Sequence, residues 1–199
     1  MKNKSLPISL VVTIVLLGLA GCGASSGQFE QPASTPLPVR VAYADLASGA
    51  TSVEELATQS QLAILATAGG ANQEPNKVDP TIVATIQSFS TDKVVWGKDP
   101  GRYFEVKFTG GVVSDDLDRP YILQLDGQPQ FNEGQQYFLI LLGPSPDGTY
   151  MVLGGPQGRY EVIDGRLRAV KGTEADPVIA RLDGAEFNAV TQELTHLIP

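Results

Sequence analysis

Few residues in this 199-residue chain have types and spacings that could do chemistry. The densest group is Asp115-Asp116-Leu117-Asp118, whose carboxylates could supply oxygen ligands to Ca²⁺. The group lacks the regularly spaced acids, central glycine and final glutamate of a calcium-binding loop, and Arg119 follows it directly. We therefore interpret Asp115, Asp116 and Asp118 as a solvated acidic loop and expect no metal ion.

Histidine and cysteine each occur once, which narrows the possible catalytic sites. His196 has no cysteine partner, so neither a histidine-based triad nor a multi-histidine metal site can be assembled. We interpret it as a polar residue near the end of a helix. A glycan hydrolase would instead need two carboxylates to converge in a cleft. The candidates for that pair are Asp115, Asp116, Asp118, Glu105 and Glu133. The sequence neither shows nor excludes such convergence, and we expect no enzyme and no cofactor.

Two other features are candidates for binding. Trp96 could anchor a ligand or partner if it were exposed, but its neighbours Val94 and Val95 favour burial. The glycine pairs at 69–70, 110–111 and 154–155 do not form a phosphate-binding fingerprint between a strand and a helix. We expect them to mark bulges and turns.

The single cysteine, Cys22, lies at the end of an N-terminal export signal. Positive residues at 1–4 precede an apolar run at 8–19 that is too short to span a bilayer, which takes about 20 apolar residues. The segment Leu19-Ala20-Gly21-Cys22 matches the lipobox of bacterial lipoproteins and resembles that family at every position. The resemblance implies that residues 1–21 are removed as a signal peptide and that Cys22 becomes the lipidated N-terminus. Because several acyl chains together bind a bilayer stably, the anchor should be permanent.

Composition divides the rest of the chain into a tether and a folded part. Residues 22–40 contain Gly, Ser and Pro and little to bury, which predicts a disordered tether. Residues 41–199 are long enough for a single globular domain with one core. The formal net charge is −8, and removing residues 1–21 takes away two lysines. This acidity disfavours nucleic acid as a partner, and we expect a monomer.

Short apolar segments between glycine and proline turns predict a mainly β fold. The predicted strands are 62–66 (ending at Gly69-Gly70), 82–89, 94–96, 103–108 (ending at Gly110-Gly111), 121–123, 137–142, 150–153, 159–163 and 166–170. The last two are joined by Asp164-Gly165, a dipeptide typical of type I′ hairpin turns.

Capping patterns predict a helix at each end of this β region. Ser52-x-x-Glu55 is a capping box for a short N-terminal helix, and Asp183-x-x-Glu186 is one for a closing helix. In the closing helix, apolar residues recur at spacings of three and four and share one face. They are Phe187, Val190, Leu194 and Leu197. We expect this face to pack on the β region.

The order of these elements resembles uncharacterised bacterial exported domains with an OB-like, netrin-module-like barrel. The shared motifs are Trp96-Gly97-x-x-Pro100-Gly101, Phe131-x-x-Gly134 before strand 137–142, and Gly154-Gly155-x-x-Gly158-x-Tyr160. The resemblance covers roughly residues 60–172. It implies a small OB-like barrel with a short N-terminal helix and a C-terminal amphipathic helix. Tissue inhibitors of metalloproteinases belong to the same broad structural class, but they use a free N-terminal cysteine. That role does not carry over, because Cys22 is predicted to be lipidated.

These observations predict a surface lipoprotein that acts as a binding or interaction module with an unknown ligand. It would be exported and held by the lipid on Cys22 at the outer face of the cell membrane, or at the outer membrane if the host has one. One alternative is an accessory subunit of an envelope complex, which would show a contiguous exposed apolar patch. The other is the carboxylate-based hydrolase.

Overall fold

The computed structural model describes residues 36–43, 49–75 and 82–197. Cys22 and the predicted signal peptide lie outside the described residues. The strands are β1 (Val39–Ala42), β2 (Leu62–Pro75), β3 (Val83–Gly97), β4 (Tyr103–Ser114), β5 (Pro120–Leu125), β6 (Gln136–Leu142), β7 (Met151–Val152), β8 (Arg159–Ile163) and β9 (Arg166–Arg168). The helices are α1 (Val53–Gln59), α2 (Pro177–Leu182) and α3 (Phe187–Leu197), with a 3₁₀ turn at Gly155–Gly158. Among the described residues, no helix is long and apolar enough to cross a membrane.

The strands form one sheet that curls into a small barrel. Its order is β1-β5-β4-β3-β2-β6-β8-β9, and β7 also pairs with β6. The curled sheet is closed by backbone pairing between Tyr150, just before β7, and Val106 in β4, which form a parallel bridge. The Tyr150 amide donates to the Glu105 carbonyl at 2.8 Å, and the Lys107 amide donates to the Tyr150 carbonyl at 2.8 Å. The prediction of a mainly β fold with a small barrel-like sheet and a C-terminal helix is therefore confirmed.

The sheet buries apolar residues on both faces, which gives two hydrophobic cores rather than one. The barrel core fills the inside of the curl, and the helix core lies between the outside of the sheet and the helices. Barrel-core residues include Ile64, Phe89, Phe104, Val106, Phe131, Tyr137, Leu139 and Tyr150. Helix-core residues include Leu56, Ala63, Trp96, Phe138, Ile140, Tyr160, Leu167, Ile179, Phe187 and Leu194. Strands β2 and β6 supply both cores with alternating residues, so β6 is apolar from Tyr137 to Leu142.

Several predicted strands are longer in the structure because glycines bend a strand without ending it. Strand β2 continues beyond Gly69-Gly70, where its register with β3 shifts in a bulge. Strand β4 continues through Gly110, whose φ of 118° suits glycine alone, and a Cβ there would lie 2.7 Å from the Leu123 carbonyl oxygen. The predicted strands 82–89 and 94–96 are parts of β3.

The predicted hairpin is present in the structure, whereas the predicted end of the tether is misplaced. The hairpin at Asp164-Gly165 is confirmed, with φ of 51° and 74° at the two positions. Strand β1 begins at Val39, so residues 39 and 40 belong to the sheet and not to the tether in which the sequence prediction placed them. In the sheet, β1 runs parallel to β5.

The first capping box is confirmed and the second is wrong. The Ser52 hydroxyl accepts from the Glu55 amide at 3.1 Å, and the Glu55 carboxylate accepts from the Thr51 amide at 2.7 Å. Asp183 instead follows the end of α2, and its carboxylate accepts from the Ala169 amide at 2.9 Å. The N-cap of α2 is Asp176, which is followed by a proline at the first helical position.

Helix α3 therefore begins at Phe187, later than predicted. Its predicted apolar face is confirmed, because Phe187, Val190 and Leu194 are buried in the helix core and Leu197 packs against it.

Candidate functional site

A buried arginine on strand β8 marks the strongest candidate site. Arg159 pairs with Leu139 of β6, so the two side chains lie on the same face of the sheet, the face of the barrel core. The neighbouring Tyr160 pairs with Phe138 and points to the helix core. The alternation of a β-strand thus places a cation at the border of the barrel interior. Only 6% of Arg159 is exposed.

The Arg159 guanidinium is held by two carbonyls and two aromatic rings. Its Nη1 donates to the Pro129 carbonyl and its Nη2 donates to the Gln130 carbonyl, the second at 2.9 Å. The guanidinium carbon lies 3.7 Å from the Phe131 ring centroid and 5.2 Å from the Tyr137 ring centroid. Cation–π contact and charge-assisted hydrogen bonds offset part of the cost of burying this cation.

Arg159 forms no direct ion pair within the part of the chain that the structure describes, although Glu161 lies two residues further along the same face of β8. None of the ion pairs among the described residues includes Arg159. Burial lowers the pKa of the Arg159 guanidinium, and the neighbouring Tyr137 and the charge of Glu161 oppose that shift. Arginine nevertheless stays protonated in proteins. A buried charge without a direct ion-pair partner is costly and therefore uncommon.

Arg159 lies in the wall of a recess of about 500 Å³, which we call the Arg159 pocket. Its residues come from the end of β5, the β5–β6 loop, β8, and the segment that ends β9 and follows it. They are Gln124, Asp126, Gly127, Pro129, Gln130, Asn132, Arg159, Glu161, Arg168, Ala169, Val170 and Lys171. The pocket is thus assembled from parts of the chain that are distant in sequence.

The rim of the Arg159 pocket carries further charges of both signs. Arg168, Lys171 and Asp126 are exposed, and Glu161 is half-buried. The Glu161 carboxylate accepts from the Tyr137 hydroxyl at 3.4 Å and from the Asn132 side-chain amide at 3.5 Å. Three cations therefore face two acids, although the chain as a whole is strongly acidic.

Gln130, which also lines the pocket, has a polar atom without a hydrogen-bond partner among the described residues. That atom is its side-chain nitrogen, which is buried. Most buried polar atoms in native proteins are paired, and an exception calls for an explanation.

The predicted acidic loop joins β4 to β5, and Asp115 organises it. The Asp115 carboxylate accepts from the Leu117 amide at 3.0 Å, the Arg119 amide at 3.1 Å and the Arg119 Nε at 3.0 Å, and it pairs with Arg40 at 3.2 Å. The hydrogen bond from the Arg119 side chain is the main reason that the pKa of Asp115 falls to about 2. Asp116 and Asp118 are exposed. Asp115 is therefore a structural residue of the loop and not merely a solvated acid.

The other candidate residues from the sequence lie apart from the Arg159 pocket. Trp96 is buried, as its neighbours predicted, and its indole nitrogen donates to the Ser60 hydroxyl at 2.8 Å. His196 is exposed in the last turn of α3. Glu105 is exposed on β4 and Glu133 is exposed before β6. In the described residues, no group of three or more His, Cys, Asp or Glu side chains is placed to hold a metal ion.

Sequence analysis missed both Arg159 and Gln130. One signal was present, because Arg159 and Glu161 alternate with Tyr160 and Val162 in a predicted strand. Such alternation places the charged pair on the face opposite to the apolar pair. The sequence did not show that this face also borders an apolar core.

Comparison with known proteins adds no family. No protein-family model matches the chain, and no curated protein matches it significantly in sequence. Function is therefore inferred from the Arg159 pocket and from the N-terminal motif.

Proposed function

We propose that this protein is a membrane-anchored binding module that holds a small ligand in the Arg159 pocket. The observation that carries the proposal is the pocket itself, a recess of about 500 Å³ in which a buried guanidinium has no carboxylate partner among the described residues. Ligand sites typically measure about 300–1,000 Å³ and combine apolar walls with a few placed polar groups. Pro129, Ala169 and Val170 supply apolar walls here, and Arg159 and Gln130 supply the polar groups.

The anchor is the lipid on Cys22, and the proposed location is the outer face of the cell membrane, or the outer membrane if the host has one. The match of Leu19-Ala20-Gly21-Cys22 to the lipobox supports this part of the proposal. A permanently anchored binding domain would retain its ligand at the envelope.

Filling the pocket tests the proposal. Val170 lines the pocket and is half-buried, so Val170→Trp should occupy the space without removing any polar partner. The full-length protein in nonionic detergent would be incubated with a small-molecule extract of a bacterial culture, washed, and analysed by mass spectrometry for retained compounds. We expect a compound that the wild type retains and Val170→Trp does not. Val112→Trp, at an exposed position of β4, is the matched control and should retain it. Equal retention by wild type and Val170→Trp would contradict the proposal.

A second candidate function is the accessory subunit of an envelope complex, and one surface favours it. Val39, Ile122 and Val112 are register partners across β1, β5 and β4, so they form an apolar row on one face of the sheet. Val39 is 53% exposed and Val112 is 42% exposed. Exposed apolar patches commonly mark interaction sites. If the row binds a partner protein, Val39→Asp with Val112→Asp should abolish its co-purification, whereas Val170→Trp should not.

A further inference from the structure

The Arg159 pocket is more positive than the protein that contains it. Arg159, Arg168 and Lys171 oppose Asp126 and Glu161 around the recess, in a chain of formal net charge −8. A recess with low-dielectric walls and a net positive charge concentrates ligands of negative charge. The pocket therefore attracts anions that the rest of the surface repels.

The Arg159 guanidinium has donors to offer such an anion. Arginine carries five N–H donors in a planar fork, and the Pro129 and Gln130 carbonyls accept two of them. The Phe131 ring lies against the guanidinium, with its centroid 3.7 Å from the guanidinium carbon, which fixes the plane of the fork. A guanidinium held in one plane suits a planar, bidentate acceptor.

We propose that the Arg159 pocket recognises a small monocarboxylate, with the carboxylate on the Arg159 guanidinium and a neighbouring polar group on the Gln130 side-chain nitrogen. This inference rests on the proposed function, because it names the class of ligand for the same pocket. The carboxylate supplies the direct ion-pair partner that Arg159 lacks among the described residues. The ligand's second acceptor pairs the buried Gln130 nitrogen, which otherwise has no partner among them.

The acids beside Arg159 favour a carboxylate over a phosphate. Glu161 and Asp126 border the recess, so the surplus of positive charge there is a single unit. A monoanion balances that surplus, whereas a phosphate dianion would exceed it and be repelled by both acids. The amides of Gln124 and Asn132 complete a lining suited to a ligand with amide or hydroxyl groups beyond its carboxylate.

A matched pair of probes tests the inference on the wild-type protein. N-acetylalanine and N-acetylalaninamide differ only in the carboxylate, and inorganic phosphate tests the other anion. Binding would be measured by NMR titration of the full-length protein in nonionic detergent, following the backbone amides of Ala169 and Val170. We expect millimolar affinity for the acid, as for other ligands with few heavy atoms. The amide should bind about tenfold or more weakly, because it lacks the charge-assisted hydrogen bonds, and phosphate should bind more weakly than the acid.

Two variants locate the effect at the proposed groups. Arg159→Lys keeps the charge but loses the planar fork, so the acid should bind about tenfold more weakly. Gln130→Leu removes a side-chain amide whose nitrogen has no partner among the described residues, so it should fold normally and also weaken acid binding. Arg102→Lys, at an exposed position outside the pocket, is the control and should bind like the wild type.

The outcomes separate this inference from the proposed function. Equal affinity for the acid and the amide, or tighter binding of phosphate, would overturn the monocarboxylate and leave the pocket a binding site. Unchanged acid binding in both Arg159→Lys and Gln130→Leu would overturn the assignment of the carboxylate to these groups. If no probe moves the pocket amides, the carboxylate inference is wrong, and the extract experiment with Val170→Trp decides the proposed function independently.

Discussion

The hydroxyl of Tyr160 leads to a stability prediction with a definite sign. Tyr160 is fully buried in the helix core, and its hydroxyl has no hydrogen-bond partner among the described residues. Burial raises the pKa of this hydroxyl, and the charges of Asp176 and Asp183 raise it further. A buried polar group left unpaired costs about 1–3 kcal/mol. Tyr160→Phe removes only that oxygen, so it should raise the free energy of unfolding by about 1 kcal/mol or more.

Tyr137 provides the matched control, because its ring is equally buried but its hydroxyl is paired. The Tyr137 hydroxyl accepts from the Asn132 amide at 3.0 Å and donates to Glu161 at 3.4 Å. Tyr137→Phe should therefore lower the free energy of unfolding by about 0.5–1.5 kcal/mol. Each kcal/mol shifts the melting temperature of a domain of this size by about 2–4 °C, so calorimetry should resolve opposite shifts. Destabilisation of both variants by the same amount would refute the reasoning.

Three further predictions concern other parts of the chain. The buried side chain of Gln157 accepts a hydrogen bond from the Ala50 amide and donates to the Ala50 carbonyl and the Asp176 carboxylate. Gln157→Leu should therefore lower the free energy of unfolding, measured by urea titration, by about 3 kcal/mol. Because the pKa of Asp115 falls to about 2, the stability that its charge contributes is complete above the unfolded-state pKa of about 3.9 and is lost as pH falls towards 2. Asp115→Asn should thus lower the melting temperature near pH 6 but not near pH 2, and Asp116→Asn is the control. Cys22→Ala should abolish metabolic labelling with a palmitate analogue, and equal labelling of the mutant would contradict the lipoprotein assignment.

Features set by neighbouring residues could be predicted from the sequence. The Asp164-Gly165 hairpin depends on positive φ at two adjacent positions, and the Ser52–Glu55 capping box depends on one turn of backbone. The apolar face of α3 follows from spacing along one helix. Each of these features depends on the conformations of residues only a few positions apart. Their local conformational preferences are therefore enough to predict it.

Features set by distant pairing could not be predicted. Strand β2 continues beyond Gly69-Gly70 because β3 supplies hydrogen-bond partners on the far side of the bulge. The second capping box failed because the Asp183 carboxylate bonds the Ala169 amide, a contact between separate segments. The acidic loop was found, but the role of Asp115 depends in part on Arg40, which lies on a different strand. Long-range contacts such as these leave no local pattern.

The adjacent residues Arg159 and Tyr160 show why the pocket is better explained by binding than by folding. Tyr160 fills the helix core, and replacing its hydroxyl should only improve the packing of that core. The barrel core does not need Arg159 as a packing residue in this way, because Phe131 and Tyr137 already pack against each other with ring centroids 4.9 Å apart. Burying a cation without a direct ion pair carries a desolvation cost that an apolar side chain does not have. A cation kept at this position therefore has a use that packing does not supply, and groups that lower stability are expected at functional sites. The guanidinium already holds the Pro129 and Gln130 carbonyls, and its remaining donors are the groups with which the proposed site would bind an acceptor that enters the recess.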